Sequence, residues 1–152
     1  PIMKLLRVIA SVDPATGGPV AGLRAVTPEL DNMGHETEFL TVDDPAEEFL
    51  QSWVGRVHAL GPVHNRYAHS PKLRPWLQRN AGRYDAIVVH GLWQDLGRAV
   101  RQICRQPDRP PYFVIPHGML DPGGRCATAG SPHRRPSPVP RCRPASTGWR
   151  GR

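Results

Sequence analysis

Two histidine–glycine pairs are the residues of this chain best suited to chemistry. His90-Gly91 follows one short apolar run, and His117-Gly118 follows the next apolar run along the chain. A histidine at the end of a strand can hydrogen-bond a substrate hydroxyl or carbonyl, and the glycine after it leaves room for a ligand. Either histidine alone would more often cap its strand end structurally. The two together favour a ligand site.

A third loop, residues 13–18, ends in the pair Gly17-Gly18. Glycine lets the backbone approach a ligand closely, and a helix beginning here would offer free N–H groups to a phosphate. The same glycines would equally serve a plain tight turn, and the sequence does not decide between these roles. Trp93 could stack on a sugar ring, although an aromatic at this position more often packs beneath the next helix.

Regular elements must position these loops, and the hydrophobic pattern predicts eight of them. Apolar runs, the first interrupted only by Arg7, predict strands at 5–10, 36–42, 57–60, 86–89 and 112–115. Helical spacing of apolar residues predicts helices at 19–33, 71–80 and 96–104. Pro28 lies inside the first helix, so a kink or break is expected near Thr27.

The order of these elements is typical of an α/β fold, a Rossmann-like parallel sheet with helices on both faces. Because the carboxyl ends of parallel strands meet at one edge of a sheet, that edge would gather all three loops.

Several other chemistries lack their motifs. The glycines do not form GxGxxG or a P-loop, and no GxSxG, HExxH or zinc spacing occurs. His58, His64 and His69 are spaced too irregularly for a metal site and are expected in loops, and the acidic residues at 43–48 are expected to be a solvated face. No apolar run is long enough to span a membrane as a helix, and the three scattered cysteines favour a reducing compartment.

Charge is distributed unevenly along the chain. Residues 1–121 contain 13 Lys and Arg against 13 Asp and Glu, whereas residues 122–152 contain seven Arg, no Lys and no acid. The whole formal charge of +7 therefore lies in the last segment. Since that segment is rich in Pro and Gly and poor in large apolar side chains, we expect residues 123–152 to be a disordered tail.

Four stretches together resemble the amino-terminal half of a retaining glycosyltransferase of the GT4 type. They are MKLLRVIASVDPATGGP at 3–19, GHE at 34–36, YDAIVVHGLW at 84–93 and PHGMLDP at 116–122. The resemblance implies a GT-B fold, in which two Rossmann-like domains face each other across a cleft. Residues 3–122 would be an incomplete amino-terminal domain, which mainly holds the acceptor.

The resemblance also implies roles for individual residues. Gly17 and Gly18 would contact the donor diphosphate, and His117 would be the catalytic residue beside the transferred sugar. No metal or other cofactor would be needed, because a helix dipole and basic side chains stabilise the leaving diphosphate. The residues that would bind the acceptor are His90, Trp93 and Gly118.

The sequence departs from this family after residue 122. Related proteins continue with an aromatic and Lys-rich stretch, whereas GGRCAT follows here at 123–128. An Arg-rich, acid-free segment is what reading GC-rich DNA in the wrong frame produces. We therefore expect a truncated or frameshifted product whose 152 residues have no transferase activity alone.

For the intact enzyme we expect transfer of a hexose from a nucleotide sugar to a glycan or lipid-linked acceptor in surface-polysaccharide synthesis. It would work in the cytoplasm, with peripheral contact at the inner face of the membrane, and without a specific nucleic-acid partner. Two alternatives remain open. One is a small Rossmann-like binding protein whose basic tail contacts nucleic acid or an anionic membrane. The other is a free-standing regulator that binds a small nucleotide through Gly17-Gly18.

Overall fold

A computed structural model of the protein describes residues 2–120, and the predicted tail at 123–152 lies outside them. The strands in this part of the chain are β1 (Lys4–Val8), β2 (Glu36–Thr41), β3 (Arg56–Ala59), β4 (Ala86–His90) and β5 (Tyr112–Ile115). The helices are α1 (Gly18–Asn32), α2 (Leu73–Asn80) and α3 (Asp95–Cys104). All eight predicted elements are confirmed, with ends that differ by a residue or two.

The five strands form one parallel sheet in the order β3-β2-β1-β4-β5. In the central strand, Val8 pairs in register with Leu40 of β2 on one side and Val89 of β4 on the other. The chain leaves β1 toward β2, whereas β4 continues in the opposite direction toward β5, so the strand order reverses between β1 and β4. This is a Rossmann-like arrangement, and its switch point is where such sheets bind ligands.

Helices cover both faces of the sheet, as the sequence predicts. On one face, Leu6 of β1 belongs to a core that includes Leu77 of α2 and Val100 of α3. On the other face, Phe39 of β2 belongs to a second core that includes Leu23 of α1. Leu6, Leu77, Val100 and Phe39 are fully buried, and each such side chain contributes roughly 1.5–3 kcal/mol through its removal from water.

The sequence predicts a kink or a break near Thr27, and helix α1 continues across Pro28 without a break. Proline cannot donate the backbone hydrogen bond that an interior helical residue normally makes. The hydroxyl of the preceding Thr27 is buried and donates to the carbonyl of Leu23 at 2.7 Å, one turn earlier. Burial of this helix against the sheet therefore outweighs the local cost of the proline.

A buried carboxylate fixes the start of α3, which follows the loop after β4. Asp95 is 1% exposed and accepts two hydrogen bonds from the Arg74 guanidinium, at 2.7 and 2.8 Å, and one from His69 at 2.8 Å. The hydrogen bonds from Arg74, opposed in part by burial, hold the pKa of this carboxyl below its usual range. This network ties α2 to α3 and anchors one end of the loop that carries Trp93.

Candidate functional site

The carboxyl edge of the sheet holds a cavity of about 400 Å³ at the switch point between β1 and β4. We call it the histidine cavity. Its walls include Ser11 and Thr16 from the loop after β1, Pro19 in the first turn of α1, His90 and Gln94 around the end of β4, and His117 after β5. All three loops that the sequence singled out therefore converge at this cavity.

The paired ends of β4 and β5 bring the two predicted histidines into contact. His90 is the last residue of β4 and pairs in register with Ile115, the last residue of β5. The N–H of Gly91 donates to the Ile115 carbonyl at 2.9 Å and holds the strand ends together. His117 then places its Nε2 2.8 Å from Nδ1 of His90, with the ring centroids 5.1 Å apart and the ring planes inclined at 22°.

Both imidazoles are neutral at neutral pH. His90 is only 5% exposed, and burial, followed by the positive charge of Arg7, lowers its pKa to about 3. Burial also lowers the pKa of His117. A neutral imidazole has one N–H donor and one acceptor nitrogen, so one ring must donate to the other across the 2.8 Å contact. The pair offers an oriented hydrogen-bonding group rather than a positive charge.

Arg7 is a site residue that the apolar pattern of the first strand does not single out, because there it only interrupts the run. It pairs in register with Val88, two residues before His90, and so lies on the same face of the sheet. Its Nη1 lies 3.3 Å from Nε2 of His90, and burial lowers the pKa of the guanidinium. A single arginine in an otherwise apolar strand is the signal that could have found it.

The glycine pair lies at the start of α1. Gly17 is the N-cap residue with a φ of +97°, which favours glycine, so the turn geometry accounts for it. A Cβ at Gly17 or Gly18 would meet no atom within 4 Å, and Gly18 borders a second cavity of about 440 Å³ with Arg7 and His117. Since Gly17 has no side chain to cap α1, the first N–H groups of the helix are available to an anion. Phosphate binding by these glycines stays a prediction.

Trp93 and Gly118 lie outside the walls of these two cavities. Trp93 is 75% exposed, so it does not pack beneath α3, and it borders a separate pocket of about 200 Å³ with Arg98 and Tyr112. Gly118 has a φ of +75°, and a Cβ there would meet no atom within 4 Å. Their contact with an acceptor stays a prediction.

Two residues in the predicted loops have a backbone conformation that L-residues rarely adopt. Trp93 has a φ of +65° and His117 a φ of +48°. A non-glycine residue in this region costs on the order of 1–3 kcal/mol, and such residues are concentrated at functional sites. The loops therefore hold these two side chains in place at an energetic cost.

A third cavity, of about 390 Å³, adjoins the histidine cavity and has more polar walls. The two cavities share Ser11 and Gln94, which the sequence reasoning missed because isolated polar loop residues carry no pattern. Other polar residues in its walls are Asp13, Asp43, Asp44, Glu47, His64, Asn65 and Arg66. Part of the acidic stretch expected as a solvated face thus lines a cavity.

Among residues 2–120, the remaining histidines do not assemble a metal site. His58, which was expected in a loop, lies in β3 and bonds Glu38 at 2.7 Å, while His69 bonds Asp95. Within residues 2–120, no three side chains of His, Cys, Asp or Glu are placed to hold a metal ion. In the same part of the chain, no helix has the length and apolarity needed to cross a bilayer.

Comparison with known proteins gives one family match. A family model described as a glycosyl transferase 4-like domain matches residues 17–146. The match begins at Gly17, at the start of α1, and includes both histidine–glycine pairs. It also runs past residue 122, where the predicted body of the domain was expected to end. No curated protein gives a significant match to the chain.

Proposed function

The chain belongs to the glycosyl transferase 4-like family, and from this premise we propose that it forms the acceptor-side domain of a hexosyltransferase. The donor would be a nucleotide sugar, and the acceptor a glycan or lipid-linked glycan of surface-polysaccharide synthesis. The observation that carries the proposal is the meeting of Gly18, His90 and His117 at the carboxyl edge of the switch point. At this edge, open parallel sheets place the ligands on which they act.

The start of α1 would hold the leaving diphosphate. Gly17 and Gly18 leave their Cβ positions open, so phosphate oxygens can reach the backbone. The free N–H groups and the helix dipole stabilise the negative charge that develops as the sugar–phosphate bond breaks. This arrangement needs no metal ion or other cofactor at the amino-terminal domain.

His117 would contact the transferred sugar. It borders both the histidine cavity and the cavity beside Gly18, and this supports a role between the proposed phosphate site and the acceptor side. Because its ring is neutral, it acts through a hydrogen bond to a sugar oxygen and leaves the positive charge to the helix dipole.

The acceptor would bind along His90, Trp93 and Gly118. The exposed face of Trp93 suits stacking against a sugar ring, since aromatic faces bind the apolar faces of such rings. The polar cavity that shares Ser11 and Gln94 with the histidine cavity offers hydroxyl-binding groups next to it. The enzyme would work in the cytoplasm, with its lipid-linked acceptor at the inner face of the membrane.

Substitution of His117 tests this assignment in a full-length enzyme that carries the domain. His117→Ala should lower kcat by roughly 10²–10³-fold, the usual effect of losing one preorganised hydrogen-bond donor. His35→Ala is the matched control, because His35 lies before β2 at the opposite edge of the sheet. Near-normal turnover of His117→Ala would remove His117 from the site.

A second measurement tests the 152 residues by themselves. We propose that they have no transferase activity, because a GT-B site needs a donor domain facing this one across a cleft. The purified chain should transfer no sugar from a panel of nucleotide sugars to glycan or lipid-linked acceptors. Measurable transfer would contradict the proposal that these residues form only the acceptor side.

A further inference from the structure

Three side chains on one face of the sheet form a directed chain of hydrogen bonds. Arg7 Nη1 lies 3.3 Å from His90 Nε2, and His90 Nδ1 lies 2.8 Å from His117 Nε2. A guanidinium has only donors, so Nε2 of His90 must accept. A neutral His90 then has its proton on Nδ1 and donates it to Nε2 of His117. His117 must in turn have its own proton on Nδ1.

We propose that Arg7 is a positioning residue of the transferase site, which fixes His90 in its Nδ1–H tautomer and thereby directs the Nδ1–H of His117 toward a ligand. The inference rests on the proposed function, since it assigns how His117 reaches a sugar oxygen there. No hydrogen bond engages Nδ1 of His117 among residues 2–120, and the ring borders two cavities. His117 would act as a hydrogen-bond donor and not as a general base.

The surroundings of the three side chains favour the neutral form of His117. Neither of the two cavities that His117 borders has a carboxylate in its walls, so no negative group would favour an imidazolium. On the α1 side, the nearby residues are Gly18, Leu23 and Val26, none of which is charged. Protonation of His117 at Nε2 would direct two N–H groups at each other across 2.8 Å, which excludes it while His90 keeps its tautomer.

Arg7 would lower the stability of the fold if its role were purely structural. Its Nε is buried without a hydrogen-bond partner in the described part of the chain, and burial lowers the pKa of its guanidinium. Arg7 is only partly buried, but a charge that lacks full hydrogen bonding usually destabilises a fold relative to an apolar side chain of similar size. The hydrogen bond that Arg7 donates to His90 is therefore a better explanation for an arginine at this position than a purely structural role.

Nitrogen NMR of the 152-residue chain tests the proposal without any transferase assay. Long-range ¹H–¹⁵N spectra of histidine-labelled protein at pH 7, assigned with His90→Asn and His117→Asn, report which ring nitrogen carries the proton. The wild-type protein should show Nδ1–H on both rings. A wild-type His90 that is protonated at Nε2 would overturn the proposal, and this outcome does not depend on the folding of any Arg7 variant.

The Arg7→Met variant tests the causal step. Without the guanidinium donor, the hydrogen bond between the rings can reverse, so the fixed Nδ1–H signal of His90 should be lost. Arg7→Lys keeps a donor and should restore it in part, while Arg24→Met on the exposed side of α1 should leave both histidine spectra unchanged. If Arg7→Met unfolds at a lower urea concentration but its His90 spectrum is unchanged, Arg7 has a structural role only and the inference is overturned.

Kinetics separate this inference from the proposed function. In a full-length enzyme carrying the domain, Arg7→Met should lower kcat by about tenfold or more, as loss of a tautomer-fixing partner does elsewhere. If Arg7 acts through His90, KM for the donor should stay within about twofold. A large rise in KM with an unchanged kcat would show instead that Arg7, which lines the cavity beside Gly18, binds the donor, and would overturn the inference. If the full-length enzyme is inactive although both histidines have the expected Nδ1–H tautomer, only the transferase proposal is refuted. A normal kcat in Arg7→Met would refute the role of Arg7.

Discussion

Two polar clusters are built into the same parallel sheet, and they differ in how completely their charges and hydrogen bonds are balanced. The first, which we call the Glu38 cluster, consists of Glu38, Lys4, His58 and Tyr84. Glu38 is 2% exposed and bonds Lys4 Nζ at 2.9 Å, His58 Nε2 at 2.7 Å and the Tyr84 hydroxyl at 2.6 Å. Burial would raise the pKa of this carboxyl, but the three hydrogen bonds outweigh it and lower the pKa to about 2.

The second cluster, Arg7 with His90 and His117, has the opposite character. It contains one cation and two neutral rings, and the cavities beside it have no carboxylate in their walls. The Nε of Arg7 is buried without a partner among residues 2–120, and the backbone of His117 has a positive φ. The comparison indicates that a cluster whose charges and hydrogen bonds are all paired stabilises the fold. A cluster with free hydrogen-bonding groups beside a cavity is suited to binding a ligand.

The largest expected difference between the clusters is in stability. Glu38→Ala should lower the free energy of unfolding by about 3–5 kcal/mol, because it leaves the buried Tyr84 hydroxyl without its acceptor. It also removes the buried carboxylate that His58 and Lys4 contact, although Lys4 keeps Glu36 at 2.8 Å. His117→Ala should lower the free energy of unfolding less, by about 1 kcal/mol, because it removes the acceptor of the His90 Nδ1–H at the wall of an open cavity. Urea unfolding of both variants checks this, and equal losses would erase the distinction.

The next largest effect is expected in the pH dependence of stability, because Glu38 should lose its stabilising contribution in acid. Its pKa is about 2 in the folded protein against an ordinary value of 4.5, so the ionised carboxylate stabilises the fold fully above pH 4.5. This contribution, on the order of 3 kcal/mol, should be lost as the pH falls from about 4.5 to about 2. In Glu38→Gln this part of the pH dependence should vanish. A variant that loses stability in parallel with the wild type would show that Glu38 is not responsible.

A single hydrogen bond of the Glu38 cluster should have a smaller effect. Tyr84→Phe removes the hydroxyl that donates to Glu38 at 2.6 Å and keeps the buried ring. The free energy of unfolding should fall by about 2 kcal/mol, as expected for a hydrogen bond to a charged acceptor. Tyr67→Phe is the control, because that residue is 44% exposed and should show almost no change. Similar effects of both substitutions would argue against a special hydrogen bond at Tyr84.

The smallest effect is expected at the open side of the site. Trp93 is 75% exposed, so Trp93→Ala should change the free energy of unfolding by less than about 0.5 kcal/mol. The matched change at Trp53, which is 7% exposed and packs edge-on against Phe39, should destabilise the protein far more. Thermal unfolding of the two variants makes the comparison. A large loss at Trp93 would mean that the residue supports the fold and is not free for a ligand.

Local pattern was enough to predict the elements of this fold. Short apolar runs such as 86–89 and the helical spacing at 96–104 carry their own periodicity, and the structure confirms both. The three loops were predictable for the same reason, because parallel strands place their carboxyl ends at one edge. The partner of His58 could not be predicted this way. Local pattern predicts the strand at 57–60, but the contact of the His58 side chain with Glu38, 20 residues away in the sequence, depends on the pairing of β3 with β2.

The sequence by itself determined the order of strands and helices, the Rossmann-like class and the two histidine–glycine loops, because each is specified by neighbouring residues. Only the tertiary structure decided that Arg7 donates to His90 and that His90 contacts His117. These contacts depend on strand register, and a slip of one residue would move each side chain to the other face of the sheet. Register is set by the packing of whole elements, so no local pattern in the sequence could specify them.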